Sequence, residues 1–152
     1  MSGALTSITI APAFGASLRS LESAELVAGQ GILGDRHFGG VRQVTVICTG
    51  EVGMAAAEWG VAGMDPAVSR RNLVVDLPEL PRDHGSLIRI GEVVLSVWRD
   101  CAPCELMDRV YGEGARQALR GRAGVSAQVV TGSSIRIGDP VSVEPARAEV
   151  GS

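Results

Sequence analysis

Apolar residues recur along this chain in short runs of period two, and glycine or proline closes almost every run. Residues 7–12 alternate Ser, Ile, Thr, Ile and Ala before Pro12, the pattern of a half-buried strand. Glu22–Val27 reads as a returning strand. A short helix is the alternative there, because Leu18, Leu21, Leu26 and Val27 keep no clean period. Gln43–Thr49 is rich in β-branched residues and predicts a strand with Cys48 in the core. Further strands are predicted over Leu73–Val75, over Leu87–Ile90 and Glu92–Trp98 around Gly91, and over Val125–Thr131. A last pair falls within Ser134–Val143, around Gly138-Asp139.

Two stretches carry helical spacing instead. Glu51–Trp59 sets Val52, Ala55, Ala56 and Trp59 on one face. Glu105–Leu119 does the same with Leu106, Val110, Ala115, Ala118 and Leu119. Gly112 and Gly114 weaken its middle, and Gly121–Gly124 closes it. Seven or eight short strands with one or two short helices predict a mainly β fold, a closed or nearly closed barrel, which leaves few free edges. With 152 residues and neither repeat nor linker, the chain reads as one domain over 1–143, with a flexible tail at 144–152.

Composition narrows the function. The net charge of −3 disfavours a nucleic-acid binder, which would present a basic face. No run approaches the roughly 20 apolar residues of a membrane span, and no signal peptide is evident, so a cytoplasmic location is expected. Three cysteines, an odd count, fit reduced thiols better than a disulfide framework. All 14 basic residues are arginine. Without lysine the chain cannot hold pyridoxal phosphate as a Schiff base. Arginine also suits paired recognition of phosphate or carboxylate, although a codon bias would give the same composition.

Chemistry concentrates in Trp98-Arg-Asp-Cys-Ala-Pro-Cys-Glu-Leu106, where an apolar strand gives way to helical spacing. Cys104 falls near the helix start, where unpaired N–H groups and the helix dipole favour a thiolate. Arg99 and Arg109 flank it. Cys104 is therefore the candidate nucleophile and metal-binding sulfur; two small buried cysteines are the plainer alternative. Gly29–Gly40 holds five glycines in twelve residues and gathers Asp35, Arg36 and His37, which read either as a catalytic group or as a hydrogen-bonded turn. It fits neither a Walker loop nor a dinucleotide fingerprint. Arg70 and Arg71 precede a strand and either bind an anionic ligand or guard a sheet edge, and Asn72 either holds a polar ring edge or caps a turn.

These segments, in order, resemble the MOSC domains, related to the C-terminal part of molybdenum-cofactor sulfurase. The residues that carry the resemblance are Gly31-Ile-Leu-Gly-Asp-Arg-His-Phe-Gly-Gly40, Arg71-Asn-Leu, the Gly85…Ile90-Gly91 turn, Pro103-Cys104, Gly121-Arg-Ala-Gly124 and Ile137-Gly-Asp-Pro-Val141. The resemblance spans residues 5–143. It implies a MOSC-type β-barrel with one reactive cysteine, matched by Cys104, that ligates molybdenum in larger relatives or holds a persulfide in sulfur carriers. Asp35 and His37 would be catalytic, and Arg36, Arg71 and Asn72 would border a molybdenum-cofactor (molybdopterin) pocket. It further implies a small-molecule substrate, and either a pyridoxal-phosphate-dependent cysteine desulfurase or an electron-transfer partner. A molybdenum-dependent reductase of N-hydroxylated compounds would need the latter. Cys101 departs from the pattern, as a resolving thiol or an incidental one.

Three rivals remain. A thioredoxin-like Cys-x-x-Cys protein should carry its motif early, in a βαβ setting. A structural zinc site would need Cys48, His37 or His84 to supply the missing second pair. A binding barrel without chemistry would keep only the shape.

Overall fold

A computed structural model of the chain describes residues 2–13, 16–61 and 63–146. Its strands are β1 (Ser2–Ile10), β2 (Arg19–Leu21), β3 (Ser23–Val27), β4 (Gly31–Ile32), β5 (Val44–Cys48), β6 (Leu73–Val75), β7 (Leu87–Ile90), β8 (Val93–Asp100), β9 (Val125–Thr131), β10 (Ser133–Arg136) and β11 (Pro140–Glu144). Three short helices accompany them: α1 (Thr49–Trp59), α2 (Glu105–Tyr111) and α3 (Ala115–Ala118). Seven strands close a barrel in the order β11, β7, β8, β9, β5, β6, β1 and back to β11. The mainly β barrel expected from the alternating runs is the fold observed.

One pair in the ring is parallel, β5 with β6. Parallel neighbours need a crossover, and here α1 makes it over the outside of the wall. Alternation along the strands then sorts the side chains into two cores. Val44, Val46 and Cys48 of β5 face the barrel interior with Leu73 and Val75 of β6. Ile47 and Val74 face outward, beneath Val52 and Ala55 of α1 and beside Met107, Leu119 and Ala123. Each fully buried Val, Leu or Ile contributes about 1.5–3 kcal/mol relative to exposure, so branched aliphatics suffice where aromatics are only 3% of the chain. Outside the ring, β2 pairs with β1, and β10, β3 and β4 form a separate small sheet.

Two sequence expectations change. The helix predicted over Glu105–Leu119 is two helices, because the chain breaks at Gly112–Gly114. Gly114 has φ 97°, and a Cβ there would lie 2.6 Å from Nε1 of Trp59. The indole of α1 thus occupies the space a continuous helix would need. The expected helix count of one or two becomes three because of this break. The tail expected over 144–152 begins with Glu144, the last residue of β11, and from 147 onward lies outside the described residues.

Gly124 gives a direct test of the wall. Its φ is 91°, and an added Cβ would collide with the carbonyl oxygen of Val46 on the neighbouring strand. Gly124→Ala is expected to cost about 3 kcal/mol or more in urea unfolding, from strain and overpacking together. A loss below about 1 kcal/mol would mean that β5 and β9 separate easily there.

Candidate functional site

The site is assembled on the outer wall, where the segment leaving β8 crosses the start of β9. Cys101 donates its N–H to the Gly124 carbonyl at 2.9 Å. Arg71, buried, donates Nε to the Ala123 carbonyl at 2.8 Å and Nη2 to the Ala102 carbonyl at 3.2 Å. On the other flank, Arg82 donates Nε to Oδ1 of Asp100 at 2.9 Å and pairs with the buried Glu51 at the start of α1. Residues 100–102 are therefore fixed by two arginines and one backbone bond. The buried Arg71 holds its position because a lost partner would leave its charge without water.

The three thiols then meet different surroundings. Cys48 is fully buried and donates to Oε1 of Glu51 at 3.1 Å; burial pushes its thiol up to about 12. Cys101 is also buried, and desolvation raises its thiol against the opposing pull of Arg71 and Arg42. Cys104 is exposed and stands at the N-terminal boundary of α2, with extended backbone at φ −110° and ψ 173°. The two thiols of the Cys-x-x-Cys spacing thus differ in access, Cys101 buried and Cys104 exposed. The helix that Cys104 opens has only seven residues and carries Glu105 and Asp108 in its first turn. The dipole argument made from the sequence is correspondingly weak here.

The glycine-rich loop packs against the end of β1. Asp35, buried, accepts from the Ala11 N–H at 3.0 Å and from the His37 N–H at 3.2 Å, while the Arg36 N–H reaches the Ala11 carbonyl at 2.8 Å. Asp35 is spent on backbone and shapes the loop. Arg36 donates Nε to Nε2 of His37 at 3.2 Å, which requires a neutral imidazole with its proton on Nδ1. Burial lowers the His37 pKa, and the Arg36 and Arg42 charges lower it further against Asp35. Because the folded state binds this proton less readily than the unfolded chain, stability should fall as pH drops below 6.5 and level off beneath the folded value. Urea midpoints at pH 7.5 and 5.5 check this, and His37→Gln should remove part of the slope. An unchanged slope would place the titration elsewhere.

Asn72 is equally committed. Its Oδ1 accepts from the N–H of Thr45 at 2.9 Å and from the Thr45 hydroxyl at 3.1 Å, and its Nδ2 donates to the Thr9 carbonyl at 3.0 Å. It ties β1, β5 and β6 together across the parallel step. Arg70 takes a left-handed backbone, φ 65°, and sends Nη2 to the Ala16 carbonyl at 3.0 Å. With Asp35, Arg36, His37 and Asn72 it lines a crevice of about 10 Å³, room for a single water. Arg70 and Arg42 both depress the Arg36 pKa, after burial, and Arg71 adds to them. Arg42 and Arg71 are also felt at Cys101.

The residues singled out from sequence thus have unequal roles. Asp35, Arg36, His37 and Asn72 meet at the crevice, Arg71 braces the cysteine segment, and Cys104 presents a thiol to solvent. Arg42, Arg82 and Glu51 were missed. Only the all-arginine composition hinted at the first two, and Glu51 looked like any acidic residue in a first helical turn. Among the described residues no three His, Cys, Asp or Glu side chains converge on a metal position, so the zinc alternative has no ligand set. No described helix is long and apolar enough to cross a membrane.

A mixed seven-stranded barrel with one exposed cysteine after β8 defines a small β-barrel domain, not the βαβ setting of a thioredoxin. The family model of the MOSC domain matches residues 34–142, and the chain belongs to that family. Among solved structures, YuaD from Bacillus subtilis is similar over 97% of this chain and 98% of its own, with TM-score 0.83 and 21% identity. YiiM from Escherichia coli is similar over 97% of this chain and 72% of its own, with TM-score 0.63 and 19% identity. YiiM from Geobacillus stearothermophilus gives 96% and 76%, TM-score 0.69 and 15% identity. At these identities the likeness concerns the fold. No curated protein matches the sequence.

Proposed function

We propose that the protein carries sulfur on Cys104, in the cytoplasm where thiols stay reduced, for assembly of metal–sulfur cofactors. One observation carries this reading: Cys104 is the exposed thiol on a braced segment, while Cys48 and Cys101 are buried with raised pKa values. The Cys104 sulfur would attack the terminal sulfur of a donor persulfide. A new S–S bond forms on Cys104, the donor's S–S bond breaks, and the donor leaves as a thiolate. A chain without lysine cannot hold pyridoxal phosphate as a Schiff base. The donor is then a separate protein such as a cysteine desulfurase, or a small persulfide.

Molybdenum-cofactor binding is the second reading, and the positive charges of Arg70, Arg42 and Arg71 acting on Arg36 favour it. Cys104 suits the metal and the arginines suit a phosphate. The match to a pterin is poorer. Asp35 is spent on backbone N–H groups, Asn72 is spent on Thr45 and Thr9, and the crevice between them holds about 10 Å³. Reduction of N-hydroxylated compounds would also require an electron-donating partner.

Native mass spectrometry with metal analysis separates the readings, on wild type and Cys104→Ala after incubation with a desulfurase and cysteine. The mass of one sulfur, removed by reductant and absent from the variant, supports carriage. Stoichiometric molybdenum with a pterin-sized increment supports the second reading. Bare protein in both samples overturns sulfur carriage.

A further inference from the structure

On the side of the cysteine segment next to α3 lies a groove of about 740 Å³. That volume falls within the range of small-molecule sites. Ala102 and Pro103, the two residues before Cys104, form part of its lining, so the groove borders the segment that presents the thiol. Its ionic groups differ in availability. Asp100 is held by Arg82, and Asp108 accepts from the Arg116 N–H at 2.8 Å through Oδ1. The guanidinium groups of Arg116 and Arg120 and the carboxylate of Glu113 line the same groove. Among the described residues these three side-chain groups have no ion pair or hydrogen bond within the chain.

Arg116 lies in α3 and Arg120 in the turn that follows it, and both border this one groove. Two guanidinium groups bordering one groove suit a carboxylate, and a single free carboxylate suits an ammonium. We infer that this groove binds a small zwitterion of the α-amino-acid class, its carboxylate on Arg116 and Arg120 and its ammonium on Glu113. The inference rests on the sulfur-carrying reading for its purpose. A thiol-bearing amino acid in persulfide form would then deliver its terminal sulfur to Cys104. The S–S bond of the small molecule breaks, the Cys104 S–S bond forms, and the amino-acid thiol leaves with the proton.

Binding is measured by calorimetry on the Cys104→Ala protein, which cannot exchange sulfur. The probes are L-cysteine, 3-mercaptopropionate, which lacks the ammonium, and cysteamine, which lacks the carboxylate. L-Cysteine is expected to bind about tenfold more tightly than either half-ligand. Glu113→Gln should abolish its advantage over 3-mercaptopropionate, and an Arg116→Gln, Arg120→Gln double variant its advantage over cysteamine. Equal affinities for the three probes, no binding, or indifference to these substitutions would overturn the groove assignment. Sulfur loading of the wild-type protein by cysteine persulfide is scored separately by mass. Loading without a zwitterion preference removes the groove and keeps the carrier; a zwitterion preference without loading keeps the groove and removes the carrier.

Discussion

Cys104→Ala is expected to leave the fold intact and to remove every sulfur-dependent property of the protein. The side chain is exposed, and exposed substitutions away from special backbone usually change stability by no more than about 0.5 kcal/mol. The chemical effect should be complete, because no other cysteine can take its place. Cys48 donates to a buried carboxylate and Cys101 lies beneath its segment, both with raised pKa values that disfavour the nucleophilic thiolate. Iodoacetamide under native conditions should therefore label one thiol quickly in the wild type and none in the variant. The remaining two should react only on unfolding. Rapid labelling of a second thiol in the folded protein would contradict this separation, and a persulfide surviving in the variant would move the chemistry off Cys104.

Asn72→Ala is expected to destabilise the protein by about 3 kcal/mol, with an unfolding temperature lower by about 6–12 °C. The amide is buried and serves three strands at once through Thr45 and Thr9. Alanine leaves the Thr45 N–H facing a small apolar gap without its acceptor, and the Thr9 carbonyl without the amide donor. A residue kept for holding a ligand would behave differently, leaving the empty protein nearly as stable as before. Urea titration of the ligand-free variant separates the two roles, since a change under about 0.5 kcal/mol would return Asn72 to the binding site.

That difference marks how far the sequence could be read. Val125–Thr131 announces itself through alternation, because one of its faces meets the apolar interior, and Val44–Cys48, buried on both faces, through its β-branched residues. The two-residue β4 and three-residue β2 have too little length for any period, and they form because neighbouring strands hold them. The single long helix failed at Gly112–Gly114 through a tertiary contact, the Trp59 ring, that local spacing cannot report. In the site, Cys104 was visible from its place between a strand pattern and a helix pattern. Whether Asp35 and Asn72 face a ligand or their own backbone was not visible, since both uses call for the same short polar side chains. The Arg82 link joins positions 51, 82 and 100, and nothing in linear order brings those three together.

Closure of the barrel has a consequence for how the protein comes to be folded. The last seam joins Ser2 to Ser142 and Ala4 to Pro140, contacts between the two extremes of the described chain. Loop closure must be completed before such contacts contribute, which places folding among the slow β topologies, in milliseconds to seconds. On the ribosome the opening part of β1 emerges first and finds its closing partner only when residues 140–142 have emerged, at about 5–20 residues per second. Until then, its backbone is an open edge able to pair with another chain. A nascent chain stalled short of residue 140 is thus an aggregation hazard of a kind that the finished barrel has eliminated.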